Sequence, residues 1–311
     1  MKPNERLRLF RRDIALLLDI EEFDVVYTTH LADLAGRPLS SIWRRVNKLA
    51  RYKCIAPVTN PLNYAPGPGL DPRLLLLGKA GAEALADHPF DLPHVPFRDP
   101  RARIKNLQTK PTADETRRRR VYNLRHNILR PALVAAFCRA TRGTGIDVIR
   151  RRALFPDGLP FPLTVPVVHN HEADVVGVSP DSVGGLRYTH LDAANNAVYF
   201  FDEIDNGTES VYVDDLTQSS IYRKLLGYAG IQRERIHTTL LGWPSFRVRW
   251  LWPDMARLEE VMRMIDRTGL RNLPGFRPNQ HLNSLHRVVD PDQDILTTWG
   301  TFNGEAVSLK R

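Results

Sequence analysis

Residues 198–210 read VYFFDEIDNGTES, an aromatic and apolar run that ends in three carboxylates, Asp202, Glu203 and Asp205. The run has the composition of a strand. Strand side chains alternate, which predicts Phe201, Glu203 and Asp205 on one face and Phe200, Asp202 and Ile204 on the other. Acids at such a place are either the wet end of the strand or ligands placed to hold a cation. Upstream, IDVIRRRALF (146–155), TVPVVHNHEADVVGV (164–178) and LRYTHL (186–191) read as further strands. Downstream, LTQSSIYRKLLGYAGI (216–231) reads as a helix with Ile221, Leu225 and Tyr228 on one face. A strand, SFRVRWLW, and a helix, DMARLEEVMRMIDR, follow, and the tail reads as a closing hairpin. That order predicts a mixed sheet flanked by helices, α/β in class and α+β over the whole chain.

Length and charge divide the chain. At 311 residues it exceeds one typical core and suits two domains. Residues 1–152 carry 29 Lys/Arg against 15 Asp/Glu, while residues 153–311 carry 15 against 20. The excess is densest in 101–152, where 15 basic residues meet 3 acids, and such a local concentration predicts a polyanion partner, double-stranded DNA. The longest apolar run, IALLLDI (14–20), is too short to span a bilayer, and MKPNERLRLFRR lacks the core of a signal peptide. Cys54 and Cys138 have no metal-ligand spacing. We therefore expect a cytoplasmic protein, nucleoid- or plasmid-associated, with no membrane partner and no organic cofactor.

The first 88 residues predict a winged helix-turn-helix. Leu7, Phe10, Ile14, Leu17 and Leu18 have helical spacing, and a short helix opens at Thr28 or Thr29 and closes at Gly36. A third helix, opened by Ser40 or Ser41, buries Ile42, Val46 and Leu49 and presents Ser41, Arg44, Arg45 and Lys48 on the opposite side. CIAPVTNPLNYAPGPGLDPRLLLL then has strand-like ends around a Pro/Gly-rich middle, as a β-wing does, and LGKAGAEALA resumes helix. Residues 89–111 read as a linker, leaving 112–311 as the second domain. That domain opens on TADE, a capping box of Thr112 and Glu115, and a helix carrying Arg117, Arg118, Arg119, Arg120 and Arg125, a candidate contact for the duplex backbone. Pro131 is expected to kink or break this helix.

Asp174 on one strand and Glu203 on another are candidates to converge, and two carboxylates with water suit Mg²⁺ or Mn²⁺. Lys224, the single lysine between residues 111 and 309, follows on a helix. Asp174, Glu203 and Asp205 are thus candidate metal ligands, and Asp174, Glu203 and Lys224 a candidate catalytic set. The triplet His169-Asn170-His171 places its histidines opposite Asp174 on a regular strand and is set aside as a metal site.

EADVVGV, YFFDEIDNGTES and KLLGYA (224–229), behind a winged-helix front, resemble the replication-relaxation family, whose rear domain is PD-(D/E)xK nuclease-like, that is, restriction-endonuclease-like. The resemblance runs from about Arg11 to about Trp252. It implies DNA binding in plasmid or mobile-element replication, mobilisation or relaxation of supercoiled DNA, with Asp174 matching the first acid and Glu203 the second. Asp205 stands where the motif has its lysine, and Lys224 on the next helix would replace it. Ala173 stands where a proline precedes the first acid. The resemblance leaves two readings open: a Mg²⁺-dependent DNA nickase or nuclease, or a catalytically inactive DNA-binding accessory factor or transcriptional regulator. A transposase-like end-cutting subunit is a third. A winged helix that reads a palindrome would also imply a homodimer.

Overall fold

The computed structural model describes residues 7–58, 73–86, 114–156, 158–192, 196–270, 282–285, 295–296, 299–301 and 306–310. Helices combine with an antiparallel and a mixed sheet, and the chain divides into two compact units, Met1–Arg139 and Ala140–Arg311. The expected linker, 89–111, lies outside the described residues, as does Thr112 of the expected capping box.

The front unit runs α1 (Arg11–Phe23), β1 (Val26–Tyr27), α2 (Thr28–Ala35), α3 (Leu39–Arg51), β2 (Ile55–Val58), β3 (Leu74–Leu77), α4 (Lys79–Ala86) and α5 (Asp114–Ala140). Gly36 ends α2 in the left-handed conformation, as its position after the apolar run predicts. α3 starts at Leu39 behind Pro38, ahead of the expected serine caps. The strands form an antiparallel sheet in the order β1-β3-β2. β3 is four leucines, all buried, because both of its faces are covered. Leu75 and Leu77 join Ile14, Leu17, Val46 and Leu49 of the helical core, while Leu74 and Leu76 join Val25, Tyr27 and Ile128.

Ile128 belongs to α5, which explains why that helix groups with the front unit and not, as the sequence suggested, with the rear one. Pro131 does not break α5: the helix continues through it to Ala140.

The rear unit comprises β4 (Ile146–Ile149), α6 (Arg151–Leu154), β5 (Leu163–His169), β6 (Glu172–Val178), β7 (Ser182–Tyr188), β8 (Ala197–Ile204), α7 (Ile221–Arg233), α8 (Ile236–Thr239), β9 (Phe246–Leu251), α9 (Met255–Thr268), β10 (Leu282–Leu285), β11 (Trp299–Thr301) and β12 (Ala306–Val307). A seven-stranded mixed sheet has the order β12-β11-β10-β9-β8-β7-β4. β8, β9 and β10 are parallel to one another, joined through α7 and α9, and the remaining pairings are antiparallel.

The segment TVPVVHNHEADVVGV is a separate two-stranded hairpin, β5-β6, and not one strand. Asn170 and His171 take positive φ, 49° and 67°, at its turn, where Asn is well suited to the left-handed region. α7 lies close over this hairpin. A Cβ at Gly227 would stand 2.3 Å from a methyl of Val178, which accounts for a glycine in mid-helix. Ser220 and Asp254 cap α7 and α9 by accepting from Arg223 N and Arg257 N. Among the described residues no helix is long and apolar enough to cross a membrane.

Candidate functional site

Alternation along β8 works as the sequence predicts through Ile204. Asp202 turns to one face, where Arg249 of β9 binds it through two hydrogen bonds of 2.6 and 3.0 Å. The Arg249 guanidinium also lies 4.0 Å from the Phe200 ring centroid and 5.4 Å from that of Trp299. This pair is a buried tie within the sheet: the side chains of Arg249 and Asp202 are 5% and 1% exposed.

Glu203 turns to the other face, beneath α7. One of its oxygens accepts from Lys224 Nζ at 2.9 Å and the other from Tyr228 Oη at 2.5 Å. Lys224 and Tyr228 stand one helical turn apart, so α7 delivers both to the same carboxylate. Lys224 also reaches Glu209 Oε2 at 2.9 Å, and Glu209 accepts from Ser219 Oγ at 2.5 Å.

Asp181 completes the cluster. It immediately precedes β7, its backbone N–H donates to Asp202 O at 2.9 Å, and its side chain accepts from Ile204 N at 2.7 Å. Its charge acts on both Glu203 and Lys224.

The electrostatics follow from crowding carboxylates where water is excluded. Burial pushes Glu203 up to about 7, opposed by Lys224 and reinforced by Asp181. Burial also works against the Lys224 charge, but Glu203, Asp181 and Glu209 outweigh it and hold the ammonium protonated above its ordinary range. Tyr228 is held well above the usual phenol range by burial and by the Glu203 charge, so it serves as a hydrogen-bond donor.

Of the residues picked out in the sequence for this site, Glu203 and Lys224 meet and the others do not. Asp174 lies exposed on β6, opposite Val167, and its Oδ1 accepts from Val175 N. Asp181, and not Asp174, is the aspartate whose charge acts on Glu203 and Lys224. The dipeptide Pro180-Asp181, just before a strand that pairs with the strand of Glu203, is the signal that could have found it. Asp205 follows the end of β8 and is bound to Arg257 at 2.6 Å, with its other oxygen accepting from Gly207 N at 2.8 Å. Arg257 donates as well to Glu209 O and to Glu260. Asp205 therefore anchors the 205–209 turn and is not a ligand beside Glu203. The histidine triplet is also structural: His169 bonds Tyr222 Oη and Asp214 at the hairpin tip.

In the front unit, α3 exposes Ser41, Arg44 and Lys48 as its periodicity predicts, and Asn47 and Arg51 extend that face. Arg45 is different. It forms a bidentate pair with Asp13, which is fully buried, and so ties α3 to α1. Arg73, at the start of β3, donates to Asn47 at 2.9 Å and stacks 4.7 Å from the Trp43 ring, adding a cation that helical spacing alone does not reveal. The side chains of Arg117, Arg118, Arg119, Arg120 and Arg125 lie outside the described residues.

Comparison with protein families, with curated proteins and with solved structures gives no match for this chain.

Proposed function

We propose that the protein binds double-stranded DNA through a winged helix-turn-helix in its front unit and cleaves a phosphodiester bond at a PD-(D/E)xK-type centre in its rear unit. The observation that carries this reading is the convergence of Pro180-Asp181, Glu203 and Lys224 from the entry of β7, the end of β8 and the crossover helix α7. Support for the front half comes from the order helix, strand, helix, helix, hairpin and from the basic exposed face of α3. The resemblance to the replication-relaxation family supports a role in plasmid or mobile-element replication or mobilisation.

Among the described residues no three His, Cys, Asp or Glu side chains gather as a metal site. Asp181 and Glu203 supply two carboxylates of the hard-oxygen class that Mg²⁺ or Mn²⁺ takes, and an ion that reached Glu203 would have to displace Lys224 or Tyr228, which engage both of its oxygens. In that arrangement Asp181 and Glu203 would hold the ion, which supplies Lewis-acid stabilisation of charge on the phosphate and lowers the pKa of water. Lys224, kept charged by its three acidic neighbours, places a positive group where negative charge grows on phosphorus. Tyr228 fixes the Glu203 carboxylate from α7 above it.

The test is conversion of supercoiled plasmid to open circle with Mg²⁺ or Mn²⁺, using Glu203→Ala as control. Open circle from the native chain and none from the variant supports the reading. No product under either metal removes the enzymatic half, and product undiminished in the variant identifies a contaminant. One observation favours a non-catalytic DNA-binding factor: Asp205, at the lysine position of the motif, is consumed by Arg257. That reading predicts DNA binding with an inert plasmid assay.

A further inference from the structure

Phe10, just ahead of α1, is 44% exposed, and guanidiniums surround it. Those of Arg8, Arg12 and Arg45 lie 5.8, 5.3 and 5.6 Å from its centroid. Arg45 is balanced by Asp13. Arg8 and Arg12 are exposed, and among the described residues no carboxylate pairs with either. Like charges gathered on one ring repel one another unless a polyanion joins them. Cation–π attraction to the ring would restrain Arg8 and Arg12 and so lower the ordering cost of binding phosphate.

Arg45 lies on α3 between the exposed Arg44 and Lys48, so the cluster continues the helix face that presents Ser41 and Arg44.

We propose that Arg8, Phe10 and Arg12 form a phosphate clamp that grips the duplex backbone beside α3 and adds affinity independent of sequence. This rests on the DNA-binding reading above. The occupant is duplex DNA, since the groups offered are phosphate donors and they continue the exposed basic face of α3.

The test measures affinity of the full chain for two labelled duplexes of unrelated mixed sequence across a salt series, with a single strand of the same composition alongside. Removing one cation that neutralises a phosphate lowers the slope of log K against log salt by about 0.9. Arg8→Gln/Arg12→Gln is therefore expected to lower the slope by about 2 and to weaken both duplexes equally. Phe10→Ala, which frees the guanidiniums without removing charge, should weaken affinity several-fold with the slope retained. Circular dichroism melting checks that each variant is folded. An unchanged slope in the Arg8/Arg12 variant, while Arg44→Gln/Lys48→Gln lowers it, overturns the clamp and leaves the DNA-binding reading standing. Tighter binding of the single strand also overturns it. Absence of binding to either duplex by the native chain removes both.

Discussion

Replacing Glu203 by Gln tests the acid cluster without any assay of activity. Burial holds Glu203 at about 7 against an ordinary 4.5. An acid whose folded pKa lies above its unfolded one binds its proton more tightly in the folded chain. Its contribution to stability is complete below the unfolded value and is lost as pH rises through the folded one. At about 1.4 kcal/mol per pKa unit, the gap amounts to about 3 kcal/mol. Gln is neutral throughout, and Lys224, held above its ordinary range, keeps its charge over the whole window. The stability of the native chain relative to Glu203→Gln should therefore fall by about 3 kcal/mol between about pH 4 and about pH 8, nearly all of it before about pH 7. Denaturant unfolding followed by tryptophan fluorescence reports this directly, because Trp243, Trp250, Trp252 and Trp299 all belong to the rear unit. A difference that stays constant across the range refutes the reasoning. A difference that grows with pH would mean that Lys224 prevails over burial and keeps Glu203 ionised.

Three further outcomes follow from the packing. Arg249→Met leaves Asp202 buried without its partner and should cost about 3–5 kcal/mol in chemical denaturation, with most of the loss recovered in Asp202→Asn/Arg249→Met; equal stability of the single and double variants would contradict the pairing. Arg45→Ala strands the buried Asp13 and should lower front-unit stability by about 3 kcal/mol, whereas Arg44→Ala should stay within about 0.5 kcal/mol. Similar melting temperatures for those two would show that Arg45 is a surface residue after all. Gly227→Ala drives a methyl into Val178, so a loss of about 1–3 kcal/mol should outweigh the helix-propensity gain of about 1 kcal/mol; Val178→Ala in the same chain should relieve it, and a stabilised Gly227→Ala would refute the close approach of α7 to the hairpin.

Local physics made much of this chain legible. The alternation of β8 separates Asp202 from Glu203, and the spacing of α3 identifies Ser41, Arg44 and Lys48 as exposed, because both patterns depend only on neighbours a few residues away. Where the sequence misleads, the deciding partner is distant. Arg45 sits on the same helical face as Arg44 by spacing, and only the arrival of Asp13 from α1 distinguishes them. The sequence favours Asp174 over Asp181 because TVPVVHNHEADVVGV reads as one strand of the sheet. Once its middle becomes a turn, Asp174 leaves with the hairpin and Asp181 falls beside Glu203. Pro131 removes one hydrogen bond and crowds a turn, a cost that the packing around Ile128, Leu133, Ala135 and Phe137 outweighs.

Lys224 comes from the crossover helix, whereas Asp181 and Glu203 come from an antiparallel pair completed earlier in the chain. α7 both covers Glu203 and carries Lys224, so the carboxylate leaves water and meets its cation in the same event. Until α7 docks, Glu203 is open to solvent and titrates as an ordinary carboxylate. Docking then couples the folding of the crossover helix to the protonation of this one group, so that step of rear-unit folding should be sensitive to the acidity of the medium.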